Sequence, residues 1–129
     1  VIGQGESAED RRAGMRRRHR TAADALRDQW RLSGRRDWTA GEPWWTAAVD
    51  ALTRAVADGR DPAGAVTRLG RERALAGTGL AQSIDDLNSF YVETNGSMAP
   101  AAIVRALVAG WRSAEVVERH EPSGDVMVV

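Results

Sequence analysis

The stretch Leu69–Leu87, LGRERALAGTGLAQSIDDL, constrains the fold more than any other part of the chain. It reads as the end of one helix at Gly77, a three-residue break, and a second helix capped by Thr78. The apolar stripe of that second helix, Leu80, Ile84, Leu87 and Tyr91, keeps helical spacing and is widened by Phe90. Two helices joined by so short a break pack as antiparallel neighbours. The same stretch holds no activated nucleophile, metal box or phosphate cradle.

The flanking sequence repeats the pattern. Ser7 and Asp10 form an S-x-x-D capping box. They open a helix running to about Leu32, whose thin apolar side is Met15, Ala22, Leu26 and Trp30, with His19 on the same face. Ser33 to Asp37 break it. Pro43 suits the first turn of a second helix, where a missing N–H has no partner to lose. Trp45, Ala48, Val49, Leu52 and Val56 line that helix, and Gly59 is placed to end it in the left-handed conformation. Asp61-Pro62 reads as cap and first residue of a third helix bearing Ala65, Val66 and Leu69. Asn95-Gly96 ends the fourth. Ser97 caps a fifth with Pro100 in its first turn, and Glu121-Pro122-Ser123-Gly124 stops it. Its apolar residues Ile103, Val104, Ala106, Leu107, Val108, Trp111, Ala114 and Val117 cover over half its circumference, which predicts a central place in the core. No stretch alternates as a strand does. The expectation is an all-α fold, a compact antiparallel bundle of about five helices. Residues 1–9 form a flexible segment, 10–121 the domain, and 122–129 a short apolar tail.

The chain has 129 residues and no cysteine, so it supports one domain without disulfides, thiolate metal sites or redox motifs. No run approaches the ~18 apolar residues of a membrane span, and the Arg-rich start lacks the apolar core of a secretory signal. Together these point to a cytoplasmic location. All 18 basic residues are Arg, and the net charge is zero. That zero hides an asymmetry. Residues 1–36 hold ten Arg against five acids, and residues 37–129 hold eight Arg against thirteen. Such a split marks either a basic arm for nucleic acid or membrane, or a basic helix docked on an acidic body.

Chemistry-bearing residues are sparse. Neither His19 nor His120 has a metal-ligand partner at helical spacing, so no metal or cofactor set is legible. Asp85 and Asp86, adjacent on a helix, point about 100° apart and are no catalytic dyad. They fall where either reaches Arg71 or Arg73 across the helix 3–4 turn. Ser83, Ser89 and Ser97 lack an activating base. Gly77-Thr78-Gly79 lacks the lysine and strand of a P-loop. The run Arg16, Arg17, Arg18 and Arg20 either is solvated or neutralises phosphates or an acidic surface. The tryptophans, Trp30, Trp38, Trp44, Trp45 and Trp111, outnumber the single Phe and single Tyr. Adjacent Trp44 and Trp45 cannot both face the core. Trp38, Trp44 and Trp45 are therefore the interaction candidates, with closure of the bundle end as the structural alternative.

One resemblance emerges from these residues. Pro43-Trp44-Trp45, Ala48-Val49, Leu52, Asp61-Pro62-Ala63, Leu69-Gly70-Arg71-Glu72-Arg73-Ala74, Gly77, Leu80, Asp85-Asp86-Leu87 and Val104-Arg105-Ala106-Leu107-Val108-Ala109-Gly110-Trp111 carry it. This pattern resembles the N-terminal helical regulatory domain found ahead of GGDEF modules in actinobacterial signalling proteins, over about residues 25–120. The heavy Arg, Ala, Gly and Val usage is that of a GC-rich bacterial gene. The GGDEF motif itself is absent, so the resemblance implies a regulatory or dimerising input domain and no cyclase residue carries over. The resulting expectation is a non-catalytic signalling domain acting by helix-mediated association with a protein partner or a second copy. The alternative is a nucleic-acid-binding module using the Arg-rich first helix.

Overall fold

The computed structural model describes residues 8–34, 38 and 44–128, with side chains described except at 13–21 and 115–128. Five helices follow in order: α1 Ala8–Ser33, α2 Ala47–Ala57, α3 Ala63–Leu75, α4 Leu80–Asn95 and α5 Ala101–Val128. No strand occurs among the described residues. α2 runs antiparallel to α1 and to α3, and α3 runs antiparallel to α5, as contacts along each pair show. Trp30 and Arg27 of α1 meet Trp44 and Asp50 in that reversed order. Ala48 of α2 meets Glu72 of α3, and Gly70 and Thr67 of α3 meet Leu107 and Gly110 of α5.

Three glycines stop helices as the sequence predicts. Gly59, Gly77 and Gly96 have φ of 69°, 84° and 79°, a region where a Cβ is strained. The helix starts differ more. α2 begins at Ala47 rather than near Pro43, with Thr46 as its cap, accepting the Val49 N–H at 3.4 Å. Trp44 therefore lies outside the helix, where the chain can turn its ring inward. Gly79, not Thr78, is the N-cap of α4, and it supplies no side-chain bond. Thr78 is instead buried, its carbonyl accepting the Trp111 indole N–H at 2.9 Å. The cap of α3 is Pro62, while the Asp61 carboxylate still accepts the Ala63 N–H at 3.0 Å. Ser97 is exposed and does not cap α5; the Pro100 carbonyl accepts the first N–H groups, from Ile103 and Val104. The Ser7 end of the capping box lies outside the described residues.

Two larger expectations are corrected. The predicted stop at Glu121–Gly124 does not occur, since α5 runs to Val128 and takes in the proposed tail. Pro122 removes one intrahelical bond and Gly124 adds backbone entropy, but these local costs do not by themselves end a helix. Among residues whose side chains are described, α5 also gives the core less than its apolar arc predicts. The core cluster among the described residues is Trp30, Trp44, Ala48, Val49, Leu52, Val66, Leu69, Leu87, Phe90, Tyr91 and Leu107, the last from α5. The wide apolar arc of α5 is built largely of Ala and Val, and Ile103, Val104, Ala106 and Val108 are only half-buried. On α1 the inward residue is Ala23, while Ala22 is exposed.

Glu72 ties α2 to α3. One carboxylate oxygen accepts the Ala48 N–H at 3.0 Å, and the other meets Arg68 Nε at 3.2 Å. Burial alone would raise its pKa, but the Thr46 hydroxyl, the Ala48 N–H and Arg68 together hold it below the usual carboxylate range. Its contribution to stability is thus present above the unfolded Glu pKa, about 4.3, and is lost on acidification. Glu72→Ala is expected to lower stability by about 1–2 kcal/mol at neutral pH, the size of a lost helix cap. Urea midpoints at neutral pH measure this.

Candidate functional site

The densest polar arrangement lies at the centre of the bundle, around Asp86 of α4. Helical phase puts Asp86 one turn before Phe90 and beside Leu87, on the buried face, and it is 1% exposed. Five donor contacts converge on its carboxylate. Oδ1 accepts indole N–H groups from Trp30 at 3.1 Å, Trp38 at 3.3 Å and Trp44 at 3.2 Å. Oδ2 shares the Trp44 N–H at 3.2 Å and meets Arg73 Nη2 at 3.3 Å. The Asp86 carbonyl also accepts from Trp30 Nε1, at 2.9 Å.

The four donors arrive from three parts of the chain. Trp30 comes from the last turns of α1, Trp38 and Trp44 from the α1–α2 connection, and Arg73 from α3. Gly34, just past α1, makes this approach possible, because a Cβ there would sit 2.8 Å from Asp86 Oδ1. The rings also contact one another. Trp30 meets Trp44 edge-on with centroids 5.1 Å apart, and Trp30 lies 4.6 Å from Phe90. The Arg73 guanidinium lies over the Trp38 ring at 4.3 Å, a cation–π contact in a desolvated setting.

The electrostatics follow from burial. Loss of water pushes the Asp86 pKa up to about 6, although Arg73 and the three indole donors pull it down. Burial likewise lowers the Arg73 pKa, against the attraction of Asp86 and Glu72. A carboxylate offers about four lone-pair directions. Those of Asp86 are taken by internal donors, so no acceptor capacity faces a substrate. The arrangement can lock three chain segments together. It cannot act as a general base without being dismantled.

The expected pairing across the helix 3–4 turn is present as Arg73–Asp86, while Asp85 and Arg71 are exposed. Trp44 and Trp45 part as expected, but the roles of the candidate tryptophans differ. Trp44 is buried and Trp38 half-buried on Asp86, so Trp44 is unavailable to a partner. Trp45 is 53% exposed and held in place, its N–H donating to Asp50 Oδ1 at 3.0 Å and the Arg27 guanidinium 4.1 Å above its ring. Arg16, Arg17, Arg18 and Arg20 fall on α1, and their side chains lie outside the described residues, as do those of His19 and His120.

Sequence reasoning missed the convergence of Trp30, Trp38 and Trp44 on one carboxylate, as well as the role of Gly34. The available signal was an acid in phase with the apolar stripe of α4. Among the described residues no three His, Cys, Asp or Glu side chains cluster to hold a metal, and no helix is long and apolar enough to cross a membrane. No family model matches the chain, and no curated protein or solved structure matches it.

Proposed function

We propose that this chain is a non-catalytic regulatory domain that acts by associating with a second copy through its helical surface. The carrying observation is an apolar patch with an acidic border. Val92 of α4 and Met98 of the α4–α5 connection are exposed, Met98 at 69%, and both line a shallow groove of about 360 Å³. Ser33, Asp85, Asn88, Ser89 and Glu93 complete its wall, and Leu32 is exposed next to Ser33 in sequence. Large exposed apolar side chains gathered beside polar ones mark association surfaces. The carboxylates of Asp85 and Glu93 favour a basic, thinly apolar helix as occupant. The first 36 residues carry a surplus of five positive charges, so a second copy offers such a helix. The resemblance to domains ahead of GGDEF modules gives this reading its setting, a regulatory input. Full commitment of Asp86 to internal donors supports a role without catalysis.

The test is light scattering at micromolar concentration on the wild-type chain and on Met98→Glu with Val92→Glu. A dimer is expected for the wild type and a monomer for the double variant, with unchanged circular dichroism. A wild-type chain that stays monomeric across the concentration range would overturn the proposal.

A further inference from the structure

A second concavity, on the opposite chemistry, lies between α2 and α3. Its volume is about 400 Å³, and its lining is Ala51, Arg54, Ala55, Arg60, Asp61, Gly64, Ala65 and Arg68. Helical phase explains it. Ala51, Arg54 and Ala55 share one face of α2, and Gly64, Ala65 and Arg68 share the facing side of α3. Small residues and three exposed arginines line it. Of the eight arginines in the net-acidic part of the chain, residues 37–129, three converge here with Asp61 as the sole acid of the lining.

Those guanidiniums keep donors to spare. Arg54 makes no ion pair among the described residues. Arg60 donates one N–H to Asp58 at 3.2 Å, and Arg68 donates one to Glu72 at 3.2 Å, out of five donors on each guanidinium. Gly64 adds open space, since a Cβ there would meet nothing within 4 Å. The start of α3 borders the same space. Asp61 takes the Ala63 N–H, and the following amides, of Gly64 and Ala65, lie in the first turn where no intrahelical acceptor exists.

We infer that this concavity binds the phosphate group of a small soluble phosphate ester. Bidentate guanidinium contacts match the oxygens of a phosphate dianion, and the volume falls in the range of small-ligand sites. A phosphate that is part of a lipid headgroup would share the chemistry, but a concave site between two helices suits a ligand that enters it whole. The inference is independent of the association surface, which lies on α4 and the α4–α5 connection.

The experiment titrates pyrophosphate, phenyl phosphate and sulfate into the folded chain and follows backbone amide resonances. Saturable shifts at Gly64 and Ala65 are expected with both phosphates, at lower concentration than with sulfate. Arg54→Gln and Arg68→Gln should each weaken binding about tenfold. Gly64→Glu should abolish it by placing a carboxylate in the site, whereas Gly64→Ala should retain it. The glycine variants leave the fold intact because their Cβ meets open space, and circular dichroism checks this. Shifts that are unsaturable, equal for sulfate, or unchanged by Gly64→Glu would overturn the proposal. So would binding seen only to phosphatidic acid vesicles and to neither soluble phosphate.

Discussion

Asp86→Asn is expected to destabilise the bundle by about 1–3 kcal/mol at neutral pH, the cost of leaving buried donors without their acceptor. The variant keeps nearly the same shape, so the loss reports charge and hydrogen bonding rather than volume. An amide oxygen can still accept from two of the indoles. The amide nitrogen cannot accept from Trp44 or Arg73, which leaves a buried guanidinium facing a donor. In many proteins a buried pair can be exchanged for apolar residues at no net loss. Here Asp86→Leu with Arg73→Met is expected to remain well below wild type, because the indole N–H groups of Trp38 and Trp44 lose their acceptor. Urea midpoints of both variants measure this, and a double variant as stable as wild type would show that the indoles contribute little.

Acidity gives the same carboxylate a second signature. Its folded pKa, about 6, lies above the ordinary Asp value of about 3.9. The folded state therefore binds the proton more tightly than the unfolded chain does. The associated stability is fully present below the unfolded pKa and is lost as pH rises through about 6. A shift of about two pKa units corresponds to about 3 kcal/mol over the whole titration, of which about 1 kcal/mol falls between pH 7 and pH 5, where this group makes the wild type more stable on acidification. Glu72 works in the opposite sense, but mainly at lower pH. The measurable quantity is the difference between wild type and Asp86→Asn across that interval, in which the contribution of Glu72 cancels. Parallel stability curves would show that Asp86 does not titrate there.

How much of this was legible depended on whether a feature is local. The stops at Gly59, Gly77 and Gly96 are local, since each requires only a residue free to take positive φ. A pairing of Asp85 or Asp86 with Arg71 or Arg73 across the short break was legible too, and the fold selects Asp86 with Arg73. Divergence of Trp44 from Trp45 was legible for a partly wrong reason. The two precede α2 rather than sit within it. The ring of tryptophans was not legible, because residues 30, 38, 44 and 86 meet only after three helices have packed. The described part of α5 gives the core less than expected because apolar arc counts residues equally, and an arc of Ala and Val buries less than Trp30, Phe90 and Leu87 do.

Gly70→Ala and Gly110→Ala should each lower stability by about 3 kcal/mol, although both replace an interior helical glycine with the best helix former. Helix propensity alone would give a gain of about 1 kcal/mol. The opposing effect is a collision between backbones. A Cβ on Gly70 would sit 2.1 Å from the Leu107 carbonyl oxygen, and one on Gly110 would sit 1.9 Å from the Thr67 carbonyl oxygen. Neither obstacle is the end of a flexible side chain, so α3 and α5 would have to move apart along their contact. That separation would loosen Leu107, a core residue of α5, and draw Trp111 away from the Thr78 carbonyl. Overpacking of this kind costs about 1–3 kcal/mol, with backbone collisions at the upper end. Because both glycines serve one crossing, the double variant should lose less than the sum of the two single losses: once either Cβ has separated the helices, the second has room. Thermal or urea unfolding of the three variants decides it. Gly64→Ala, on the open face of α3, serves as the control in which propensity is free to stabilise. Should Gly70→Ala and Gly110→Ala both behave like that control, the close crossing of α3 and α5 would be wrong.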